Sequence, residues 1–348
     1  MIIQSLQALR FVFIMLVVMS HIIGKAFDFG GECGVMFFFM LSGFILAYAY
    51  GKQVSDDTFQ HKRFLGKQLS KFYPLHVLTF AVMALLDARL GIFYGWGKLV
   101  ANLLLLQSWV PDNDFYFVAN GSSWFLSDLL FFYVLFPFLY RYLMRLSGQC
   151  LLVLVFIVLA AYAAIAYEIP TEMINPILYA APWMRVLDFS IGLLVYRLYV
   201  SETGHKLKDV LTRRPSMVEL LMVALVVISF FVYGHVSWRF RCAALFWLVL
   251  PPVLYTFVSL DRERGFITAM FHHRWMQWLG SISLEIYLVH FVLMRFFYSV
   301  LTSLGCEEAC RLHPLMVAAT LVVIVLGSYF TKRFFVVPVC SCLLKRIR

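Results

Sequence analysis

Long apolar runs alternate along the chain with short stretches that carry most of its charged residues. A helix of about 20 mostly apolar residues is long enough to cross a bilayer. The pattern therefore predicts an all-α fold, a polytopic membrane helix bundle of about ten transmembrane helices. The predicted spans are 6–23, 33–50, 73–94, 124–144, 150–167, 177–199, 217–235, 240–258, 279–301 and 314–336.

One further apolar run, 99–110, is too short to span a bilayer. We interpret it as a re-entrant or interfacial segment. The choice matters, because a spanning helix at this point would invert the topology of every helix that follows.

The composition predicts one membrane-embedded domain over residues 1–348. Of the residues, 62% are hydrophobic and 14% are charged, against about 25% charged in soluble domains. No stretch is polar enough to form a separate soluble domain, and no internal repeat is visible. The chain starts without a basic segment before its first apolar run, and no cleavage site follows that run, so we expect the first helix to be retained.

The net charge of +10 comes from basic residues that flank the apolar runs, so it does not indicate a nucleic-acid partner. With the N-terminus inside, about 20 of the 29 Lys and Arg residues fall on one side of the membrane. The positive-inside rule therefore predicts that both termini are cytoplasmic. It also puts Arg10 near the inner face and His21 near the outer face.

Arg10 and His21 are the most unusual residues of the first apolar run. They are eleven residues apart, close to three helical turns, so both face one side of a helix, roughly 16 Å apart along its axis. A cation in hydrocarbon costs roughly 2.5–3.5 kcal/mol on insertion scales and usually faces a bundle interior or a wet cavity. A second interpretation remains open: Arg10 snorkels to the inner surface and His21 ends the helix.

Other spans also contain polar residues with two interpretations each. Glu32 follows His21 closely and either tunes the imidazole or is a solvated loop carboxylate. Asp128 either pairs with another helix or binds a sugar hydroxyl. Ser283, Tyr287 and His290 are spaced i, i+4, i+7, so we expect this stripe to face the bundle interior.

The remaining candidates are basic and small residues. Lys71 belongs to a basic cluster with Arg63, which either binds lipid head groups or an anionic cofactor or merely anchors the topology. Ser42 and Gly43 form a small pair that suits close helix contact.

The seven cysteines have no metal-ligand spacing, so no metal is predicted. The chain has no nucleotide-binding loop, GxSxG elbow or HExxH motif.

Five sequence blocks, taken together, resemble the acyltransferase-3 family of integral membrane acyltransferases, which includes bacterial surface-glycan O-acetylases. The blocks are Arg10 with His21, Gly34 to Phe44 (GVMFFFMLSGF), Phe72-Tyr73-Pro74, Trp124 to Pro137 (WFLSDLLFFYVLFP) and Ser283 to His290 (SLEIYLVH). The chain departs from the family pattern at Met36 and Phe125, and Asp128 stands one or two places before the expected glutamate.

The resemblance implies transfer of an acyl group, usually acetyl, from cytoplasmic acyl-CoA to a glycan hydroxyl at the outer face of the bacterial inner membrane. Arg10, Arg63 and Lys71 would bind the phosphates of acetyl-CoA. His21 would act as general base, or as the acylated nucleophile. The expected partners are acyl-CoA, a glycan or lipid-linked saccharide acceptor, and membrane lipids. The predicted acceptor-binding residues are Glu32, Ser42, Trp124, Asp128, Tyr287 and His290.

Two other functions are also considered. A transporter or flippase of lipid-linked sugars predicts inverted repeats with matching broken helices, and no such correspondence is visible. A non-catalytic partner in glycan assembly would tolerate the loss of His21, whereas the enzyme would not.

Overall fold

The computed structural model describes residues 3–24, 30–306 and 311–347, which are largely helical and contain no strand. The helices are α1 (Gln4–Ile23), α2 (Gly31–Ser55), α3 (His61–Arg89), α4 (Trp96–Leu103), α5 (Asn113–Tyr116), α6 (Trp124–Arg145), α7 (Gly148–Glu168), α8 (Pro182–Tyr199), α9 (Glu202–Leu211), α10 (Pro215–Tyr233), α11 (Trp238–Arg241), α12 (Ala244–Trp247), α13 (Leu250–Ser259), α14 (Phe266–Phe271), α15 (Arg274–Ser281), α16 (Ser283–Ser303), α17 (Pro314–Thr331) and α18 (Val337–Ile347).

Within these ranges, eight helical segments are long and apolar enough to cross a membrane. They are α1, α2, α3, α6 with the turn before it, α7, α10, α16, and α17 continued into α18. A ninth candidate is the pair Thr171–Tyr179 and Pro182–Tyr199, which is bent by 45°. The predicted all-α membrane bundle is therefore confirmed.

Two predicted spans differ from continuous helices. The span 177–199 is bent just before Pro182, which has no backbone N–H to continue a helix through that point. The span 240–258 is wrong as a single helix, because these residues form the short helices α11, α12 and α13. Pro251 and Pro252 stand in the first turn of α13, where the missing donors are tolerated at a helix start.

The chain divides into two compact units. The first unit contains residues 1–13, 32–59 and 131–280, and the second contains 14–31, 60–130 and 281–348. Helix α1 contributes residues to both. The single domain over 1–348 stays a prediction.

In the first unit, α2 and α8 approach each other through a pair of glycines. A Cβ at Gly43 would lie 2.1 Å from the Phe189 carbonyl oxygen, and one at Gly192 would lie 1.9 Å from the Met40 carbonyl oxygen. Backbone atoms cannot move aside as side chains can. The small pair at Ser42-Gly43 therefore marks a close helix contact, as predicted.

A buried ion pair also stabilises the first unit. Arg185 and Asp188 are fully buried on α8, with Nη1 of the arginine 3.0 Å from Oδ2 of the aspartate. The Trp247 indole donates to Asp188 Oδ1 at 2.5 Å, and Arg185 donates to the Leu178 carbonyl at 2.9 Å. The charges are thus paired within one helix, and their other hydrogen bonds fix the segments around the 45° bend.

The second unit contains α3, α16, α17 and α18, together with the segment 90–123. At one end of α3, Asp87 pairs with Arg295 of α16 and accepts a 2.8 Å hydrogen bond from Tyr94. Asp87 thus pairs with a residue of another helix, although Arg89 is only two residues away in the chain.

The segment after α3 turns back beside that helix. Tyr94 contacts Asp87 near the end of α3. Further along the segment, the Leu103 carbonyl accepts a hydrogen bond from Tyr73 of α3. Tyr73 precedes Asp87 by fourteen residues, which is about 21 Å along the helix axis. The chain then returns to the start of α4, where Asp114 pairs with Lys98 at 3.6 Å. The segment therefore enters and leaves at the same end of α3, and its placement as re-entrant or interfacial stays a prediction.

We predict that Gly192→Ala destabilises the protein by about 1–3 kcal/mol, because the added methyl group would overlap the Met40 backbone. The measurement is the unfolding midpoint of purified protein in detergent, followed by intrinsic fluorescence. Gly148→Ala is the matched control, since a Cβ there meets nothing within 4 Å. Equal midpoints for the two variants would contradict the close packing of α2 against α8.

Candidate active site

Helix α1 carries both Arg10 and His21, as predicted, in one unbroken helix. Arg10 belongs to the first unit and is half-buried. Its Nη1 donates to Gln7 Oε1 at 3.3 Å, and its charge interacts with Tyr133 of α6. The guanidinium is therefore oriented by polar neighbours, and the residue as a whole keeps part of its surface accessible.

His21 meets a second histidine in the second unit. Its Nδ1 lies 3.1 Å from His290 Nε2 on α16, and the two rings stack with centroids 5.0 Å apart. Phe291 packs against both rings, at 4.5 Å from each centroid. His290 is fully buried, whereas His21 is exposed. The pair therefore joins one fixed ring to one accessible ring.

The polar stripe of α16 lies inside the second unit. Ser283, Tyr287 and His290 are all buried, which confirms the predicted interior face. The Tyr287 ring lies 6.2 Å from the His290 ring and 5.0 Å from Phe125. His290 Nδ1 contacts the Tyr287 and Ile286 carbonyls at 2.7 and 3.1 Å. Tyr287 and His290 are thus brought together with His21.

Asn120 connects the segment 90–123 to the polar stripe of α16. Its Nδ2 donates to the Leu288 carbonyl at 2.9 Å and to Thr79 Oγ1 at 3.0 Å. Ser122 donates to Asn120 Oδ1 at 3.0 Å. The preceding Ala119 has a φ of 55°, the left-handed region that alanine rarely adopts. Asn120 was not among the predicted site residues, although the polar run Asn120 to Ser123 just before an apolar helix was a usable signal.

The segment 90–123 is held by further buried polar contacts in the second unit. Asn102 donates to the Val118 carbonyl at 2.9 Å, and its own carbonyl lies 3.0 Å from His76 Nε2. Ser108 contacts Asp128 Oδ1 and Ser127 Oγ, each at 2.7 Å. Asp128 is fully buried, so these contacts support a structural role. Acceptor binding by Asp128 stays a prediction.

The structure also describes three other predicted site residues. Glu32, in the first unit, is buried and accepts a hydrogen bond from the Tyr233 hydroxyl. Ser42 donates to the Phe38 carbonyl of its own helix at 2.8 Å. Trp124 is buried at the start of α6 in the second unit. Their roles toward an acceptor stay predictions.

The predicted phosphate-binding residues of α3 are accessible. Arg63 and Lys71 are both exposed, eight residues and about 12 Å apart along the helix. Lys71 Nζ donates to Gln68 Oε1 at 3.0 Å. Among the residues that the structure describes, no group of three or more His, Cys, Asp or Glu could hold a metal ion.

The fold and the site define a polytopic helical membrane protein with an accessible histidine supported by a buried one. The profile of the acyltransferase-3 family, described as an acyltransferase domain, matches residues 3–333. The chain belongs to the acyltransferase-3 family and is a membrane acyltransferase.

A curated relative that is named as an acyltransferase agrees with this assignment. The chain is 30% identical to "Acyltransferase MdmB" of Streptomyces mycarofaciens over 285 residues, which cover 76% of this chain and 69% of that protein. It is 49% identical to "Protein 2 in picA locus" of Rhizobium radiobacter over 47 residues, 14% of this chain and 25% of that protein. No solved structure matches the chain.

We predict that Asn120→Asp destabilises the second unit. The new carboxylate oxygen would face the Leu288 carbonyl, so two donated hydrogen bonds are lost, and each unsatisfied buried group costs about 1–3 kcal/mol. Thermal unfolding in detergent measures the loss. Asn113→Asp, at an exposed position, is the control and should leave the midpoint unchanged. A normal midpoint for Asn120→Asp would remove the proposed role of this contact.

Proposed function

We propose that the protein transfers an acyl group, acetyl in the first instance, from cytoplasmic acyl-CoA to a hydroxyl group of a cell-surface or lipid-linked glycan. The proposal rests on the accessible ring of His21, which is hydrogen-bonded on one side by a buried partner. An imidazole that has one nitrogen fixed by a partner and belongs to an exposed residue suits general base catalysis near neutral pH.

His21 takes the proton of the acceptor hydroxyl while the hydroxyl oxygen attacks the thioester carbonyl. The new bond is an ester, the broken bond is the carbon–sulfur bond, and the proton passes from His21 to the departing thiolate of CoA. The reaction is balanced without another reactant. An acylated His21 would give the same products in two steps.

Arg10 binds an anionic part of the donor in this proposal. A planar guanidinium suits phosphate oxygens, and Arg10 is half-buried with its Nη1 held by Gln7. Arg63 and Lys71 are exposed cations that attract the same polyanionic donor. Arg10 and His21 are roughly 16 Å apart along α1, so a donor anchored at Arg10 needs an extended arm to reach His21.

The proposed direction of the reaction rests on the sidedness that the positive-inside rule predicts. With both termini in the cytoplasm of a bacterium, Arg10 is near the inner face and His21 is near the outer face. The donor therefore enters from the cytoplasm, and the glycan is acylated at the opposite side of the inner membrane.

The proposal predicts that His21→Ala lowers acetyl transfer by about 10²–10⁴-fold, the usual contribution of a general base. Membranes containing the intact chain or a variant are supplied with acetyl-CoA labelled in the acetyl group, and label in the polysaccharide and lipid-linked saccharide fractions is counted. His205→Ala, at an exposed position of α9, is the matched control. Equal label in the intact chain and in His21→Ala, at equal expression, would overturn the proposal.

We also predict that Arg10→Ala raises the KM for acetyl-CoA by about 10- to 100-fold, as expected when a charged hydrogen bond is lost. We expect Arg10→Lys to recover the activity only in part, because lysine keeps the charge but not the planar fork. Initial rates against acetyl-CoA concentration separate KM from kcat. An unchanged KM in Arg10→Ala would remove the assigned role.

A further inference from the structure

The two nitrogens of His290 have different partners. Nδ1 lies 2.7 Å from the Tyr287 carbonyl oxygen and 3.1 Å from that of Ile286. A carbonyl oxygen only accepts hydrogen bonds, so Nδ1 of His290 carries a hydrogen. Nε2 faces His21 Nδ1 at 3.1 Å. Whether Nε2 donates or accepts therefore depends on the charge of the His290 ring.

His290 is uncharged in this environment. Its side chain is fully buried, and a buried charge is costly unless it is paired. The described contacts of the ring are two carbonyls, His21, Tyr287 and Phe291, none of which is a carboxylate. With its hydrogen on Nδ1, a neutral His290 accepts at Nε2.

The same reasoning fixes His21. If His290 Nε2 accepts, then Nδ1 of His21 donates, and the lone pair of a neutral His21 is on Nε2.

We infer that His290 is a positioning residue that holds His21 in the Nδ1–H tautomer, so that Nε2 of His21 is the basic nitrogen. This inference rests on the proposed function in one respect, namely that His21 is the general base. His290 would thereby act through His21, which differs from its predicted role in acceptor binding. Phe291 contributes by packing against both rings and limiting their rotation.

Two variants of His290 separate positioning from a purely structural role. The amide of glutamine reaches about the position of Nε2, so His290→Gln can accept from His21. The amide of asparagine reaches about the position of Nδ1, so His290→Asn can serve the Tyr287 and Ile286 carbonyls but not His21. A structural role for the buried ring predicts that Asn is the better replacement, whereas positioning predicts Gln.

We expect His290→Gln to keep kcat within about 10-fold of the intact chain and His290→Asn to lose about 10²–10³-fold, within the range that a misplaced base costs. The KM for acetyl-CoA should stay unchanged in both, because His290 does not bind the donor. The reverse order of the two variants would overturn the inference.

A second measurement does not depend on acyl transfer. Protein labelled with ¹⁵N-histidine is reconstituted in lipid nanodiscs, and the His21 signals are assigned from their absence in His21→Ala. We expect the nitrogen shifts of a ring protonated at Nδ1. Protonation of His21 at Nε2 in the intact chain would overturn the inference, whereas protonation at Nδ1 without any acetyl transfer would overturn the proposed function and leave the tautomer assignment standing.

Discussion

The cost of burying a polar group without a partner controls the interior of this protein. Its helices satisfy their own backbone, so side chains that enter the apolar interior must find each other or a spare carbonyl oxygen. Arg185 pairs with Asp188 and donates to the Leu178 carbonyl. Asn120 and His290 likewise contact main-chain carbonyls of α16. Contacts between different segments, such as that of Asn120 with the Leu288 carbonyl, fix which faces meet and in which register, which apolar packing alone would leave poorly specified.

The candidate active site follows this constraint at His290 and departs from full burial at His21. His290 is fully buried, with both ring nitrogens in hydrogen-bonding contacts. His21 shares one of those contacts but keeps an exposed ring. A buried base would be inaccessible to a substrate, and an unsupported exposed base would sample both tautomers. A fixed ring beneath an accessible ring meets both requirements, and functional sites are where such departures from uniform burial are expected.

Several parts of this arrangement could be predicted from the sequence. Apolar length located most spans, and the spacing of Arg10 from His21 put both on one helix. The i, i+4, i+7 spacing of Ser283, Tyr287 and His290 gave their shared buried face. The short length of the run 99–110 indicated that it is not a spanning helix. Breaks near Pro182 and Pro251 were missed as helix ends, because hydropathy averaged over a window does not detect a missing donor.

The amino-acid sequence by itself determined the helical membrane class and the positions of the polar residues along each helix, because both follow from local periodicity and length. Tertiary structure alone decided which polar groups meet. His21 and His290 are 269 residues apart in the chain, and Asp87 pairs with Arg295 although Arg89 is nearer in sequence. Such pairs depend on how distant helices pack and rotate against each other, and a single sequence contains no local signal for that packing.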